Sequence, residues 1–275
     1  MSEVGKETVE LVRRGEYRTP SGRTISIAAE VTRAVAGTVL YRPAELEQLV
    51  AGRPSAAGSP RIDVTSETTA DAARRLVQDE TVPGVVALNF ASARNPGGGF
   101  LGNAKAQEED LARRSALYEC LLSQPEYYKA NRNESSLLYT DHIIYSPEVP
   151  FFRDQRFEFM ERPFVVSIIT APAPNAGAIL PREPDAGPRI RSTLEARAAK
   201  VLAVAAAEDH RCLVLGAWGC GAFRNDPTLM ADIFGRLFES PAFAGAFERV
   251  VFAIFSRGAR DSCLSAFQAR FGKGS

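Results

Sequence analysis

The stretch VVALNFASARNPGGGFLGNAKAQEEDLARRSALYECLLS (85–123) joins an apolar run, a glycine-rich loop and a helical pattern. The run at 85–90 has no polar alternation, which is typical of a strand buried on both faces of a sheet. Apolar side chains recur at helical spacing after the loop, so we predict one helix over 106–123. Three glycines and two adjacent acids lie near the junction between them: Gly97, Gly98, Gly99, Glu108 and Glu109.

Further apolar runs follow this unit and alternate with helical segments. The predicted strands are 164–170, 212–218 and 250–255, and the predicted helices are 189–208, 226–240 and 262–271. Asp226 and Pro227 suit the cap and first turn of the second of these helices. Alternating strands and helices predict an α/β fold with three α/β/α layers and a mixed, largely parallel sheet. Ligands in such folds usually bind at the carboxyl ends of the strands.

The N-terminal part shows weaker patterns. A helix is predicted at 7–17, strand-like segments at 25–31 and 38–42, and a Pro/Gly/Ser loop at 53–61. A strand at 61–65 then precedes a helix at 68–80, capped by Thr68 or Thr69. Residues 131–163 contain short strand-like pieces broken by prolines, which predicts an insertion or an edge hairpin beside the sheet.

Composition excludes several classes of protein. The chain has 275 residues, 45% of them hydrophobic and 24% charged, which predicts one globular core. Lys+Arg and Asp+Glu are each 33, so the sequence lacks the basic excess of general nucleic-acid binders. Four scattered cysteines and two histidines give no zinc spacing, and we expect no metal and no cofactor. No membrane span or signal peptide is evident, which predicts a cytoplasmic protein.

The glycine loop matches G-x-G-x-x-G through Gly97, Gly99 and Gly102. A dinucleotide-binding turn needs these glycines directly after the strand and an acid about 20 positions later at a strand end. Six residues, including Pro96, intervene here, so the context argues against that interpretation. The glycines instead let the backbone approach a ligand in dihedral angles closed to other residues, or they form an ordinary turn.

Helical spacing predicts where the two acids point. Glu108 extends an apolar stripe that includes Leu111 and Ser115, and Glu109 extends the neighbouring stripe through Ala112. Both carboxylates should therefore face the strand ends beside the glycine loop. The alternative is that they are solvated acids placed in the first helical turn by the macrodipole.

These motifs resemble those of poly(ADP-ribose) glycohydrolases of the compact bacterial type. The resemblance rests on PGGGF, on QEE, which seven residues separate from Gly99, and on LARRSALY, with further similarity in LNFASA, ITAPAPN and GAWGCGAFRND. It implies a macrodomain-like fold over residues 61–275, with residues 1–60 as a mainly helical extension packed on it. It also implies that the chain binds poly(ADP-ribose) and proteins that carry it, as a monomer, with a role in the DNA damage response.

A second glycine-rich segment, 215–226, follows a predicted strand. Its free N–H groups could wrap a diphosphate without lysine, which suits a neutral chain. The resemblance assigns this loop to the diphosphate of ADP-ribose, with Phe223 beside the terminal ribose. The alternative is a glycine-rich turn with Trp218 and Phe223 in the core. Cys220 could instead be a nucleophile with His142 as its base, or a small packed side chain.

The resemblance also assigns chemical roles. Glu109 would protonate the leaving 2′-hydroxyl and then activate water, while Glu108 would accept hydrogen bonds from ribose hydroxyls. Phe255 is a candidate for the adenine contact, or one more core phenylalanine. The predicted binding residues are Asn89, Asn95, Gly97, Gly98, Gly99, Gln107, Gly219, Cys220, Gly221, Ala222, Phe223 and Phe255. A macrodomain that only binds ADP-ribose, or a hydrolase acting on single ADP-ribose groups, remains an alternative function.

Overall fold

Nine strands and eleven α-helices make up the fold, in a computed structural model that describes residues 1–52, 57–256 and 261–272. The strands are β1 (Glu16–Arg18), β2 (Thr24–Ser26), β3 (Val39–Tyr41), β4 (Arg61–Thr65), β5 (Val85–Phe90), β6 (Ile143–Arg153), β7 (Phe159–Ala171), β8 (Cys212–Leu215) and β9 (Arg249–Ala253). The helices are α1 (Ser2–Arg14), α2 (Ala28–Gly37), α3 (Pro43–Ala51), α4 (Thr69–Arg74), α5 (Gln107–Arg114), α6 (Leu117–Leu122), α7 (Pro125–Asn133), α8 (Ala176–Ile179), α9 (Gly187–Ala207), α10 (Pro227–Glu239) and α11 (Ser262–Phe271).

Seven strands form one sheet in the order β3-β6-β7-β5-β8-β9-β4, and β1 and β2 form a separate hairpin. The strands β7, β5, β8, β9 and β4 pair in parallel, whereas β6 is antiparallel to both of its neighbours. The predicted mixed, largely parallel sheet is therefore confirmed. The carboxyl ends of the five parallel strands meet at one edge, where a ligand is expected.

Each face of the sheet is covered by its own layer of helices. On β5, Val86 and Leu88 belong to a core cluster shared with α9 and α10, while Val85 and Ala87 belong to a second cluster shared with α1, α4 and α5. Side chains alternate across a strand, and β5 is apolar at every position except Asn89, so it has to be covered on both sides. This confirms the predicted three-layer arrangement.

The segment 131–163 differs from its prediction. β6 and β7 do form a hairpin, but β3 pairs with β6 over Ile143 to Tyr145, so β6 is not the edge strand there. The two prolines lie beyond that pairing: Pro147 falls within the register shift between Ser146 and Val149, and Pro150 follows it. A proline can occupy β6 at these positions because β3 requires no N–H from this part of the strand.

The single helix predicted over 106–123 is wrong, because the chain forms two helices. α5 ends before Ser115, which has extended backbone (φ −146°, ψ 178°) and forms an isolated bridge with Phe151 of β6. The Ser115 hydroxyl donates to the Leu111 carbonyl at 2.7 Å, which satisfies an acceptor at the end of α5. The apolar stripes that the spacing predicts therefore do not continue past this break.

The N-terminal predictions are correct in part. The helix predicted at 7–17 exists as α1, but it begins at Ser2 and ends at Arg14, and Glu16 and Tyr17 lie in β1. The helix α4 follows a Thr68 cap whose hydroxyl accepts from the Asp71 N–H at 3.2 Å. A strand over 25–31 is wrong, since Ala28 begins α2. The short β3 adds an edge strand to the sheet from within the first 60 residues, and a division at residue 60 stays a prediction. The predicted loop 53–61 lies partly outside the described residues.

Two central strands end earlier than predicted. β8 stops at Leu215 and β9 at Ala253, so the residues that follow them lie in loops at the ligand edge. The predicted helix at 226–240 is confirmed as α10, with the Asp226 carboxylate accepting from the Thr228 N–H at 2.8 Å. Within the described ranges, no helix has the length and apolar character needed to cross a membrane.

Candidate active site

Gln107, the first residue of α5, fixes that helix to the end of β5. Its Oε1 accepts from the Phe90 N–H at 2.8 Å, and its Nε2 donates to the Leu88 carbonyl at 2.7 Å. A third bond runs from Nε2 to the Thr69 hydroxyl at 3.0 Å. The Gln107 side-chain amide thus forms hydrogen bonds with one backbone donor and one backbone acceptor near the end of β5. The next two residues of α5 are consequently held at the ligand edge.

Glu109 lies in the first turn of α5, and its side chain turns back to the preceding loop. Oε1 accepts from the Gly99 N–H and Oε2 accepts from the Ala106 N–H, each at 2.9 Å. The second contact is the glutamate half of a capping box and satisfies a backbone donor at the helix start, while Ala106 has no side chain that could supply the other half. Glu109 is only 8% exposed, so the prediction of solvated acids is wrong, although a capping role is present.

Glu108 is buried more deeply than its neighbour, at 3% exposure. It accepts hydrogen bonds from the Ser92 N–H at 2.6 Å and from Asn89 Nδ2 at 3.3 Å. Burial raises the pKa of Glu108 to about 8, with a smaller contribution from the negative charge of Glu109, against the opposing effect of these hydrogen bonds. The carboxyl group can therefore carry a proton near neutral pH.

The glycine triplet is required by the space around these carboxylates. Gly97 and Gly98 have left-handed backbone, with φ of 66° and 59°. A Cβ on Gly98 would lie 2.4 Å from Glu109 Oε1, and a Cβ on Gly97 would lie 2.8 Å from the ring of Phe100. Only glycine allows the loop to approach the acids this closely. The predicted close approach is thus observed, and it is directed at the two glutamates.

The two predicted asparagines occupy different environments. Asn89 of β5 is fully buried, and its Nδ2 donates to both Glu108 and the Thr170 hydroxyl. Its Oδ1 is buried and has no hydrogen-bond partner among the described residues. Asn95 is exposed at the loop rim, and its carbonyl accepts from the Gly98 N–H at 3.0 Å. Asn89 is therefore the asparagine that the structure places against a carboxylate.

The second glycine-rich loop follows β8, a hydrogen-bonded neighbour of β5, and leaves the same edge of the sheet. Several of its N–H groups have no acceptor in the part of the chain that the structure describes, among them those of Gly219, Gly221, Ala222 and Phe223. Asn225 holds the loop, because its Nδ2 donates to the carbonyls of Gly219 at 3.0 Å and Pro174 at 2.8 Å. Such a set of free N–H groups can bind an anion.

The aromatic side chains separate into core and surface. Trp218 is fully buried and donates to the Ala171 carbonyl at 3.1 Å, which agrees with the core alternative for this residue. Phe223 is half-buried, with its ring 6.1 Å from that of Tyr139. Phe255 is 58% exposed just after β9, so the alternative of a core phenylalanine is wrong. An exposed ring at the ligand edge is available for stacking.

The structure does not support a cysteine nucleophile. His142 bonds the Thr140 hydroxyl at 2.9 Å, whereas the Cys220 thiol donates to the Trp218 carbonyl at 3.6 Å. A hydrogen bond with the Cys263 thiol, together with burial, raises the pKa of Cys220 well above its ordinary value. A thiol that stays protonated is a weak nucleophile. Cys220 is therefore a packed side chain of the loop.

Several residues at the site were missed by sequence reasoning. Ser92 acts through its backbone N–H, which no side-chain pattern reveals. Thr170 and Asn225 lie within quoted motifs but had no assigned role. Arg113 is 1% exposed and donates to the carbonyls of Phe100 and Gly102. The spacing of four between Glu109 and Arg113 places both on one helix face and could have signalled it.

Comparisons with known proteins agree with this geometry. Residues 5–154 match the family model of the microbial-type PARG catalytic domain. The crystal structure of poly(ADP-ribose) glycohydrolase from Thermomonospora curvata is 47% identical, with 98% of each chain covered and a TM-score of 0.94. Its complex with the inhibitor ADP-HPD has the same identity and coverage, and a TM-score of 0.92.

A second relative comes from Deinococcus radiodurans. Its poly(ADP-ribose) glycohydrolase, solved in complex with ADP-ribose, is 48% identical over 88% of this chain and 97% of that chain, with a TM-score of 0.82. A comparison with curated proteins gave no match. The family model spans more than half of the chain, and the similarity to T. curvata spans nearly all of it. The chain therefore belongs to the microbial-type poly(ADP-ribose) glycohydrolases.

Proposed function

We propose that this chain hydrolyses the ribose–ribose O-glycosidic bonds of poly(ADP-ribose) and releases ADP-ribose from chain ends. The observation that carries the proposal is the Glu109 carboxylate, which is buried at the ligand edge and held between the Gly99 and Ala106 N–H groups. Family membership supports the substrate, since the relatives are poly(ADP-ribose) glycohydrolases and one is solved with ADP-ribose.

The proposed reaction needs a proton at the departing oxygen, because charge develops there as the glycosidic bond breaks. Glu109 supplies that proton to the leaving 2′-hydroxyl and then takes one from the attacking water. The Gly99 and Ala106 N–H groups hold its two oxygens, so the carboxylate needs little reorganisation as its charge changes.

Glu108 serves to fix the ribose. Its pKa of about 8 means that it holds a proton for much of the time at neutral pH, so it can donate a hydrogen bond to a ribose oxygen as well as accept one. Asn89 orients this carboxyl group through Nδ2. The buried Oδ1 of Asn89, which has no partner among the described residues, is an acceptor suited to an ordered water.

The remaining parts of ADP-ribose are assigned to the second loop and to Phe255. The free N–H groups of Gly219, Gly221, Ala222 and Phe223 bind the diphosphate, and the Phe223 ring packs beside the terminal ribose. Phe255 contacts the adenine through its exposed ring. We further propose that the protein acts as a cytoplasmic monomer on poly(ADP-ribosyl)ated proteins in the response to DNA damage, without binding nucleic acid directly.

One assay separates this function from its alternatives. The wild type is incubated in parallel with poly(ADP-ribose) and with a protein carrying single ADP-ribose groups, and free ADP-ribose is measured by chromatography. We expect release from the polymer and little release from the singly modified protein. Release only from the latter would indicate a mono-ADP-ribosyl hydrolase. Binding of ADP-ribose without release from either substrate would indicate a non-catalytic macrodomain.

A further inference from the structure

Helix α1 packs against the glycine loop at Phe100 and Leu101. A Cβ on Gly5 would lie 2.5 Å from the Phe100 carbonyl oxygen and 3.3 Å from Leu101 Cα, so the helix and loop backbones are in direct contact. Close to this contact, the Ser2 hydroxyl donates to the Leu101 carbonyl at 2.7 Å. The first turn of α1 is thereby fixed to residues that follow the glycine triplet.

A second connection runs through Thr8 and Arg113. The Thr8 hydroxyl, 1% exposed, donates to the Arg113 carbonyl at 2.8 Å. The buried guanidinium of Arg113 donates through Nη2 to the Phe100 carbonyl at 2.9 Å and to the Gly102 carbonyl at 3.2 Å. The Phe100 carbonyl consequently accepts a hydrogen bond from Arg113 and also lies against the backbone of Gly5.

The restrained residue is directly linked to Glu109. Phe100 follows Gly99, whose N–H binds Glu109 Oε1 at 2.9 Å. The Phe100 ring also lies so close to Gly97 that a Cβ there would be 2.8 Å from it. A displacement of Phe100 would therefore move the Gly99 donor and the backbone beside the carboxylate. A 1 Å misplacement of a reacting group can lower a rate by about 100-fold.

We propose that α1 is a positioning element for the hydrolytic reaction, in which Gly5 and Thr8 keep the Gly99 N–H aligned with the Glu109 carboxylate. Neither residue touches the substrate, and both act through the glycine loop. The inference rests on the proposed function, since it names residues outside the ligand edge that set the geometry of the same acid. It gives the N-terminal helix a role in the rate of the reaction.

The test compares Gly5→Ala with Gly37→Ala. The control lies in α2, where a Cβ would meet the Pro147 side chain at 2.7 Å, so it introduces similar crowding away from the glycine loop. For Gly5→Ala we expect kcat on poly(ADP-ribose) to fall at least 10-fold, while the Kd for ADP-ribose changes less than about 3-fold. Amide hydrogen exchange within 97–102 should accelerate at least 10-fold in Gly5→Ala and stay unchanged in Gly37→Ala.

Thr8→Val provides a second variant if Gly5→Ala does not fold. It removes the bond to the Arg113 carbonyl with little change in volume, and we expect kcat to fall at least 3-fold with faster exchange within 97–102. If the wild type is active and the folded variants show the wild-type kcat and the wild-type exchange within 97–102, the inference is overturned and the proposed function is not. A wild type that releases no ADP-ribose would instead overturn the proposed function, and exchange within 97–102 would still show whether α1 restrains the loop.

Discussion

Glu108 and Glu109 are adjacent in the chain but have different surroundings. Glu109 accepts two backbone N–H groups from the loop and the helix start, whereas Glu108 faces Ser92 and Asn89 at the end of β5. Glu108 is also the more deeply buried of the two. Pairs of acids in different environments can take different roles in one reaction. The structure thus assigns distinct surroundings to two acids that are adjacent in the sequence.

The burial of Glu108 predicts a pH dependence of stability. Its pKa is about 8 in the folded chain and near 4.5 when exposed, so the native state binds the extra proton between these values. The free energy of unfolding should therefore fall as pH rises from about 5 to 8, by at most about 1.4 kcal/mol per pH unit from this group. Urea denaturation of the wild type and of Glu108→Gln at four pH values checks this.

Glu47→Gln is the control for that comparison, because Glu47 is exposed on α3. It should retain the wild-type slope, whereas Glu108→Gln should flatten the slope over the same pH range. A Glu108→Gln variant that kept the full dependence would show that other groups cause it.

The left-handed backbone at Gly98 gives a second prediction at the residue scale. Alanine there would place Cβ 2.4 Å from Glu109 Oε1, in addition to the strain of φ 59°. We expect Gly98→Ala to lower kcat about 100-fold and to destabilise the fold by about 1–2 kcal/mol. Steady-state kinetics and thermal denaturation measure the two effects.

Gly22→Ala is the matched variant, since Gly22 has φ 87° and, among the described residues, its Cβ would approach only Arg18 Nη2, at 3.8 Å. It should show comparable backbone strain with normal kcat. Equal losses of activity in both variants would mean that general destabilisation, rather than displacement of Glu109, explains the result.

At the scale of helices and strands, the sequence predicted the existence and type of the elements better than the residues at which they end. β4, β5 and α10 were recovered because alternating apolar residues, a continuous apolar run and an Asp-Pro start are local signals. The break at Ser115 was missed because it depends on pairing with Phe151, a contact across the sheet that local periodicity does not encode. The position of β6 within the sheet was also missed, because it depends on pairing with the distant β3.

In the candidate site, too, residues with a local sequence signal were predicted and residues that depend on distant contacts were missed. Gly97, Gly98 and Gln107 were recognisable because their residue types are needed for close approach or paired hydrogen bonding. Ser92 was not recognisable, since any residue supplies a backbone N–H. Helical spacing predicted that the Glu108 carboxylate faces the strand ends. Its raised pKa depends on packing that only the folded chain defines.

The second loop gives a prediction at the scale of one element. Gly219 has φ 74°, and a Cβ there would lie 2.5 Å from Ala173 Cβ and 2.6 Å from Asn225 Nδ2. Gly219→Ala should disorganise the free N–H groups and weaken ADP-ribose binding at least 10-fold in calorimetry. Gly245→Ala is the control, because Gly245 also has a positive φ (69°) but precedes β9, at the opposite edge of the sheet. This variant should leave the affinity for ADP-ribose unchanged. Similar affinities for both variants would argue against diphosphate binding by this loop.

Considered as a whole, the molecule is electrically neutral yet belongs to a family with an anionic substrate. Lys+Arg and Asp+Glu balance at 33 each, so long-range attraction by net charge is absent. The sheet places the loop after β8, with its free backbone N–H groups, at the same edge as the loop after β5 that holds the two acids. Recognition by backbone N–H groups acts at short range and needs no basic surface.

This arrangement predicts a weak salt dependence of binding. The Kd for ADP-ribose should rise less than about 3-fold between 50 and 500 mM NaCl, because screening mainly weakens interactions between charges that are far apart or exposed. Isothermal titration at several salt concentrations tests the prediction. A rise of 10-fold or more would show that exposed basic side chains, rather than the loop backbone, dominate binding of the diphosphate.

The central claim is that the Glu109 carboxyl group transfers the proton in the reaction, and the rate of ADP-ribose release by Glu109→Gln tests it most directly. The amide keeps nearly the same shape but cannot act as the acid. We expect the initial rate on poly(ADP-ribose) to fall at least 1,000-fold relative to the wild type, with ADP-ribose affinity within about 3-fold and with Glu47→Gln fully active. Turnover by Glu109→Gln within 10-fold of the wild-type rate would contradict the account.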